Sequence, residues 1–372
     1  MTKQTQFRDV FNPALVNKLA GNITHVWDSF ERDAFLEAIL PQLESLSFGD
    51  RNSLIADSLH KHLPDDFQRA AQTLVNALGP EPASDSLSGF SGFIVMPQCL
   101  FTSRYGLDDF DTSINALYEM TKRFTAEGDI RPFIEKYPEE TMTFLHKLTQ
   151  DKSPFARRLA SEGTRPRLPL FSRLPKFQRD PLPVIQLLEK LKTDTNLMVR
   201  RSVANNLNDI AKDNPDVVVE TLSGWQKTNP SKEMDWVISH SLRTLLKDGH
   251  PGALRLMGYD SNIEISVSEI HLSDENPAIG DEINFSFTVT SLEDTASKVM
   301  IDYIVYFMKA NGKQAPKVFK AAKKTLAAGE TITITKKHSF QQRSTRKHYS
   351  GAHSLEVQIN GKKYTRANFE LV

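Results

Sequence analysis

Among 372 residues there is one cysteine, Cys99, so no intrachain disulfide can form and no zinc framework of paired cysteines is available. No apolar run approaches the ~20 residues that span a bilayer. The opening residues, Met1-Thr2-Lys3-Gln4-Thr5-Gln6, have no apolar core of the kind a secretory signal carries. We therefore expect a cytoplasmic protein with no membrane partner. A Gly-x-x-x-x-Gly-Lys-Ser/Thr loop, a dinucleotide glycine fingerprint and a His-Glu-x-x-His pair are also missing. Ser91, in Gly89-Phe90-Ser91-Gly92, lacks the spacing of a nucleophile elbow. His60 and His62 sit on a polar segment and read as surface histidines rather than metal ligands. Neither a metal nor an organic cofactor is expected.

Net charge is lacking as well, since 46 Lys and Arg balance 46 Asp and Glu. The balance is uneven along the chain. From Ala296 to Arg366, fifteen Lys and Arg face only Asp302, Glu330 and Glu356. From Ser153 to Arg179, seven face Glu162 alone. Two concentrated basic segments in a neutral chain point to a polyanionic partner; the simpler reading is a solvated surface.

What is present suits two globular units. The chain is longer than one core usually serves, and 39% of it is hydrophobic and 25% charged. Up to about Gly258 the apolar period is helical: Ala34, Leu36, Ile39, Leu40, Leu43 and Leu46 step by threes and fours, as one buried stripe should. Turn and cap signals punctuate it at Asp50, Pro64-Asp65-Asp66, Asp108-Asp109, Pro138, Asp213-Asn214-Pro215 and Gly249-His250-Pro251. The stretch Asp151 to Ala160, with Arg157-Arg158, resembles Asp194 to Val203, with Arg200-Arg201, at an offset of 43 residues. A weaker copy begins near Trp236. Such spacing fits HEAT-like helix pairs, which bury their apolar faces by stacking into a curved array.

Near Met257–Asn262 the period changes to two. Ile283, Phe285, Phe287 and Val289 share one strand face, and Val299, Ile301, Tyr303, Val305 and Phe307 another; Ile332 and Ile334 follow, then Leu355, Val357 and Ile359. Asn311-Gly312 and Asn360-Gly361 are hairpin-turn dipeptides. About seven strands are expected. The predicted architecture is multidomain, α then β: a HEAT-like α-helical repeat solenoid over residues 1–258, then an immunoglobulin-like β-sandwich over residues 263–372.

Two stretches carry chemistry. Thr164-Arg165-Pro166-Arg167-Leu168-Pro169 offers two arginines on a proline-stiffened turn, suited to phosphates or simply to packing and a helix stop. In Arg200-Arg201-Ser202-Val203-Ala204-Asn205-Asn206-Leu207-Asn208-Asp209, positions 201, 205 and 209 share one helix face, either as a site or as a local ladder of polar groups.

These same stretches, Ser161 to Pro169 and Val199 to Ile210, together with Thr125-Ala126-Glu127 and Ile130-Arg131-Pro132-Phe133, resemble the AlkC branch of the AlkC/AlkD superfamily of HEAT-like DNA alkylation-repair glycosylases. The order of array then immunoglobulin-like domain is also that of AlkC members carrying the extra domain. The resemblance implies hydrolysis of the N-glycosidic bond of cationic alkylated bases in duplex DNA, of the 3-methyladenine and 3-methylcytosine class, without full flipping of the base. It carries the catalytic role to Glu127 and Asp209. It departs at Leu170, where the family has Trp and a lesion contact is implied. It departs also at Gly128-Asp129, where an apolar pair is usual: a glycine read there as helical costs up to ~1 kcal/mol, and Asp129 adds a like charge beside Glu127. Candidate DNA-binding residues are Arg165, Arg167, Arg200, Arg201 and Asn205 in the array, and Lys320, Arg346, Lys347 and Tyr349 in the β domain. The run Arg346 to Gly351 is expected to form an exposed loop, and the β domain to close over DNA held by the array. The chain is expected to act as a monomer. Two other readings stay open: a DNA-binding relative that has lost catalysis, and a helical scaffold for an acidic protein.

Overall fold

The structure, a computed structural model, describes residues 6–82, 91–343 and 346–372. The opening Met1 to Thr5 and the Gly89-Phe90 half of the serine stretch lie outside the described residues.

Sixteen α-helices come first among the described residues. They are α1 (Pro13–Val26), α2 (Arg32–Ile39), α3 (Phe48–His62), α4 (Phe67–Asn76), α5 (Met96–Tyr105), α6 (Phe110–Thr121), α7 (Arg131–Lys136) and α8 (Pro138–Leu148). They continue with α9 (Pro154–Gly163), α10 (Pro175–Arg179), α11 (Leu182–Glu189), α12 (Leu197–Ile210), α13 (Pro215–Thr228), α14 (Lys232–Ser241), α15 (Arg243–Lys247) and α16 (Pro251–Leu256). Proline opens α1, α8, α9, α10, α13 and α16, at the position where a missing N–H costs nothing. Side chains of Asn12, Ser47, Asp66, Asp109 and Asn196 accept from first-turn amides of the helices they precede. The stripe expected over residues 34–46 is not one helix. Pro41 cannot continue α2, which ends at Ile39, and Leu40–Ser45 winds as a 3₁₀ segment. Phe35, Leu36, Ile39 and Leu43 are buried, and Ala34 is exposed.

The 43-residue repeat has a physical counterpart. Arg157 Nη1 donates to Asp151 O (2.8 Å), and Arg200 Nη1 donates to Asp194 O (2.6 Å). The amides of Ser153 and Asn196 donate to the carboxylates of Asp151 and Asp194, both at 2.8 Å. One copy also grips the next: Arg157 makes a two-pronged ion pair with Asp194, at 2.6 and 3.0 Å.

Eight strands follow among the described residues: β1 (Ile265–Val267), β2 (His271–Leu272), β3 (Glu282–Ser291), β4 (Ser297–Met308), β5 (Gln314–Leu326), β6 (Thr331–Ser339), β7 (Gly351–Ile359) and β8 (Lys362–Leu371). β1, β2 and β6 all pair with β3; the second sheet runs β5-β4-β7-β8, and every pairing is antiparallel. Ile283, Phe285, Phe287 and Val289 meet Val299, Ile301, Tyr303, Val305, Phe307, Leu355, Val357 and Ile359 in one core, as the alternation requires. Asn311-Gly312 and Asn360-Gly361 do make the β4–β5 and β7–β8 turns; Gly312, Asn360 and Gly361 have φ of 72°, 45° and 81°.

The chain divides into two compact units, Met1–Asn214 with Thr228–Ser241, and Pro215–Lys227 with Leu242–Val372. Helices α15 and α16 thus pack with the strands. A Cβ on Gly249 would lie 2.7 Å from the Gly361 Cα, so the helix-end turn and the β7–β8 turn touch backbone to backbone. Asn360 Nδ2 donates to Asp260 O (2.7 Å) and Gln358 Nε2 to Lys247 O (2.9 Å).

Candidate active site: six alternating charges in the helical unit

Glu127 lies in the turn between α6 and α7. Its Oε2 accepts from Thr125 Oγ1 (2.7 Å) and from Arg158 Nη2 on α9 (2.5 Å). Arg158 also donates to Thr125 Oγ1 (3.0 Å), which fixes the rotamers of all three side chains. Glu127 Oε1 receives no hydrogen bond among the described residues, and the side chain keeps 16% of its exposure. Arg158 lies 3.8 Å from Glu162, one helical turn on. Glu162 is buried and accepts from Arg165 Nη1 (2.6 Å) and Ser202 Oγ (2.5 Å). Arg165 then donates through Nε and Nη2 to Asp209 Oδ2, both at 2.8 Å, and Lys212 Nζ donates to Asp209 Oδ1 (2.9 Å). Glu127, Arg158, Glu162, Arg165, Asp209 and Lys212 form an unbroken alternation of three carboxylates and three cations.

The electrostatics of this chain are self-consistent. Burial alone would raise the Glu162 pKa, but the Arg158 and Arg165 guanidiniums hold it below the ordinary carboxylate value. Burial works against both guanidiniums too, and their carboxylate partners carry each above the ordinary arginine value. Ser202 bonds Ser161 (2.9 Å), and Asn206 Nδ2 donates to Ser161 O (2.7 Å) and Thr164 Oγ1 (3.1 Å), clamping α12 to α9 behind the charges. Arg131, only 1% exposed, donates to Gly163 O (3.0 Å), Arg165 O (2.8 Å) and Ser172 O (2.9 and 2.5 Å). Burial, chiefly, brings its guanidinium down to about 10, so it remains a cation at neutral pH.

The family resemblance singled out Glu127 and Asp209 but gave no role to Arg158, Glu162 or Arg131. A signal existed: Arg158 is the second arginine of a repeated pair, and Glu162 is the sole acid of its basic segment, four residues from Arg158 and three from Arg165. Four of the seven cations of that segment are engaged by acids, and Arg173, Lys176 and Arg179 are exposed. Arg157 pairs with Asp194, Arg158 with Glu127, Arg165 with Glu162 and Asp209, and Arg167 two-pronged with Asp213 (2.8 and 2.6 Å). Arg200 binds the carbonyls of Asp194 and Thr195. Arg201 is exposed; Asn205 Oδ1 lies 3.1 Å from His240 Nε2, and the His240 ring stacks on Trp236.

Gly128 is in a turn, not in a helix, so the expected helix-glycine cost does not arise. Its demand is steric: a Cβ there would lie 1.9 Å from the Phe171 ring. Leu170, before that ring, is 86% exposed with φ of 70°, a left-handed conformation costing an L-residue other than glycine about 1 kcal/mol. Asp129 accepts from Ser103 Oγ (2.9 Å), and burial together with the Glu127 charge pushes its carboxyl up to about 7. It therefore carries the like charge read beside Glu127 only above about pH 7. A folded-state pKa above the unfolded value, near 3.9, means that stability falls as pH rises from about 4 to 7. Asp129→Asn is expected to remove that slope, raising Tm by a few °C at pH 8 and changing it little at pH 4; equal shifts at both pH values would exclude this titration.

Three of the four β-domain candidates, Arg346, Lys347 and Tyr349, gather around a cavity of about 660 Å³ that Phe307, Lys309 and Lys317 also line, and Lys320 does not line it. The Arg346 guanidinium sits 5.6 Å from both the Phe307 and Phe319 ring centres. Desolvation, then the charges of Arg346, Lys247 and Lys309, hold the Lys317 ammonium below its ordinary value. Among the described residues no acidic side chain lines the cavity. The run from Arg346 is not wholly an exposed loop: Lys347 is exposed, but His348 is buried among Phe307, Phe340 and their neighbours. Lys320 is exposed on β5, opposite the buried Asp302, whose carboxyl burial raises to about 6.

A helical array followed by a two-sheet sandwich is the architecture of a helical-repeat protein that carries an immunoglobulin-like domain. Residues 266–372 match the family described as "Uncharacterised protein YhaZ, C-terminal Ig-like domain". The chain is 35% identical over 365 residues to "Uncharacterized protein YhaZ" of Bacillus subtilis (strain 168), covering 98% of this chain and 99% of that protein. It superposes on "Pseudomonas fluorescens alkylpurine DNA glycosylase AlkC bound to DNA containing an abasic site analog" with a TM-score of 0.90 and 34% identity, covering 99% of this chain and 100% of that one. The chain belongs to the AlkC family of DNA glycosylases.

Proposed function

We propose that this protein hydrolyses the N-glycosidic bond of cationic alkylated bases, the 3-methyladenine and 3-methylcytosine class, in duplex DNA. The observation that carries the reading is Glu127: one carboxylate oxygen is locked by Arg158 and Thr125, the other is unengaged, and the side chain is partly open to solvent. A cationic base is already a good leaving group and needs no general acid. The protein must stabilise the cation-like sugar and aim a water at the anomeric carbon. Glu127 Oε1 is suited to the water, and the Glu127 and Asp209 charges to the sugar. Arg158 and Arg165 orient these carboxylates as positioning residues. No organic cofactor or metal enters this scheme. Release of methylated base from duplex DNA treated with a methylating agent tests it; no release at any enzyme concentration would refute it.

DNA contacts are assigned to the exposed Arg201 and the half-buried Asn205 on α12 and to Lys320, Arg346, Lys347 and Tyr349 of the β domain. Support comes from the cation-lined cavity, whose crowded like charges lack a counter-charge that a phosphate would supply. The clean test keeps the chain intact, because cutting at residue 263 would strip α15 and α16 of the strands they pack with. Replacing Lys309, Lys317, Arg346 and Lys347 together by Gln is expected to flatten the slope of log affinity against log salt by about 2–3, at roughly 0.9 for each phosphate no longer neutralised. An unchanged slope would remove the β domain from the DNA interface.

A further inference from the structure

Glu127 shares its turn with a second carboxyl. The amides of Asp129 and Ile130 both donate to Ala126 O (3.1 and 3.0 Å), so Glu127 and Gly128 form the bend and Asp129 closes it. Glu127 is bonded to Arg158 on α9, and the half-buried Asp129 to Ser103 on α5. Ser103 Oγ lies 2.9 Å from Asp129 Oδ1 and 3.2 Å from Leu100 O, and its one proton serves only one of them at a time. With Asp129 protonated, the carboxyl donates to Ser103 and the hydroxyl to Leu100 O. With Asp129 ionised, the hydroxyl turns to the carboxylate. Either state of the carboxyl has a partner, so its proton can leave without stranding it. Burial raises its proton affinity most; the Ser103 hydrogen bond lowers it, the Glu127 charge raises it, and Arg104 on α5, itself paired with Asp57, lowers it. Arg158 bonds Glu127 rather than Asp129. Cys99, also on α5, stays neutral, because burial and then the Asp129 charge push its thiol well up.

We propose that Asp129 is a positioning residue of the glycosylase reaction that acts through Glu127: its ionised form adds a second negative charge to the turn that stabilises the developing sugar cation, and its protonated form withholds that charge. The inference rests on the glycosylase reading above and names how that site answers to pH. Release of a cationic base needs no acid and gains from negative charge near the sugar. A carboxyl pushed up to about 7 supplies that charge only above neutrality, so the rate of release should climb through pH 7. Below it, Glu127 and Asp209 act without Asp129. The same ionisation lowers stability, so activity and stability move in opposite directions on one titration.

The test uses full-length protein and single-turnover release of 3-methyladenine from methylated duplex at saturating enzyme, from about pH 5.5 to about pH 8.5, with spontaneous release subtracted. The wild-type rate is expected to rise about fivefold with a midpoint near 7, the effect of one added charge across a partly wet site. Asp129→Asn should stay within about twofold of the acid-limb rate at every pH. At about pH 8.5 it should thus be about fivefold slower than wild type and yet melt at a higher temperature. A role in the fold alone would not slow a variant that melts higher. Ser103→Ala removes the donor to the carboxylate; it should keep the rise and move its midpoint up by about half a pH unit or more. A wild-type rate that is flat with pH, or a rise that Asp129→Asn retains, overturns this inference alone. So does a midpoint that Ser103→Ala leaves in place. A wild type that releases no base at any pH overturns the glycosylase reading and this inference with it.

Discussion

Glu127→Gln should lower the single-turnover rate of base release from methylated duplex DNA by about 10²–10³-fold, with duplex affinity within about twofold of wild type. The substitution is nearly isosteric. It removes the charge that stabilises the developing sugar cation and the basic oxygen that directs the water. Arg158 keeps its bond to Thr125 and its approach to Glu162, so the guanidinium is not stranded. Asp209→Asn should cause a comparable loss by the electrostatic route alone. Because Asp209 is only 2% exposed and gathers Arg165 and Lys212, this variant should also melt at lower temperature, which Glu127→Gln should not do to the same degree. Wild-type release rates in both variants would remove these carboxylates from the reaction.

Arg165→Met should destabilise the helical unit by about 3–5 kcal/mol, the usual cost of removing one member of a buried ionic network. For a unit of this size that is a fall in Tm of roughly 6–20 °C. The reason is the position of Arg165 between Glu162 and Asp209, two buried carboxylates that would then face each other without it. The pH dependence has a definite sign. The Glu162 carboxyl is held below its ordinary value in the folded protein, so its contribution is present above the unfolded value, near 4.3, and fades as pH falls through the folded one. Without Arg165 that carboxyl keeps only Arg158, and the acid limb of the stability curve should move to higher pH. Thermal melts between pH 3 and 8 read both effects. A loss below about 1 kcal/mol, with the acid limb unmoved, would mean that the alternation of charges is structurally idle.

Much of the architecture could be read locally. A helix stripe or strand alternation is written within ten to fifteen residues, so Ile283 to Val289 and Val299 to Phe307 revealed their faces directly. The turn dipeptides did the same, because Asn and Gly tolerate the positive φ that hairpins require. Pro41 shows the limit of reading period alone: the apolar spacing continued across it, but the α-helix could not. The 43-residue repeat was visible as paired arginines, and its local bonds follow from spacing.

The partners of the basic residues were not legible in this way. Seven cations between Ser153 and Arg179 looked like a polyanion surface because Glu162 was the only acid within reach along the chain. Tertiary structure brought Glu127, Asp194, Asp209 and Asp213 to four of them from 31 to 46 residues away. The same holds for the contact between Gly128 and Phe171 and for the grip of Arg131 on the loop carrying that ring. Periodicity and propensity are properties of neighbours in sequence, and they settle which elements form and which face turns inward. Which charge meets which is decided only when stacked repeats bring residues about one repeat apart into contact, where ion pairing must offset the loss of water around each buried charge.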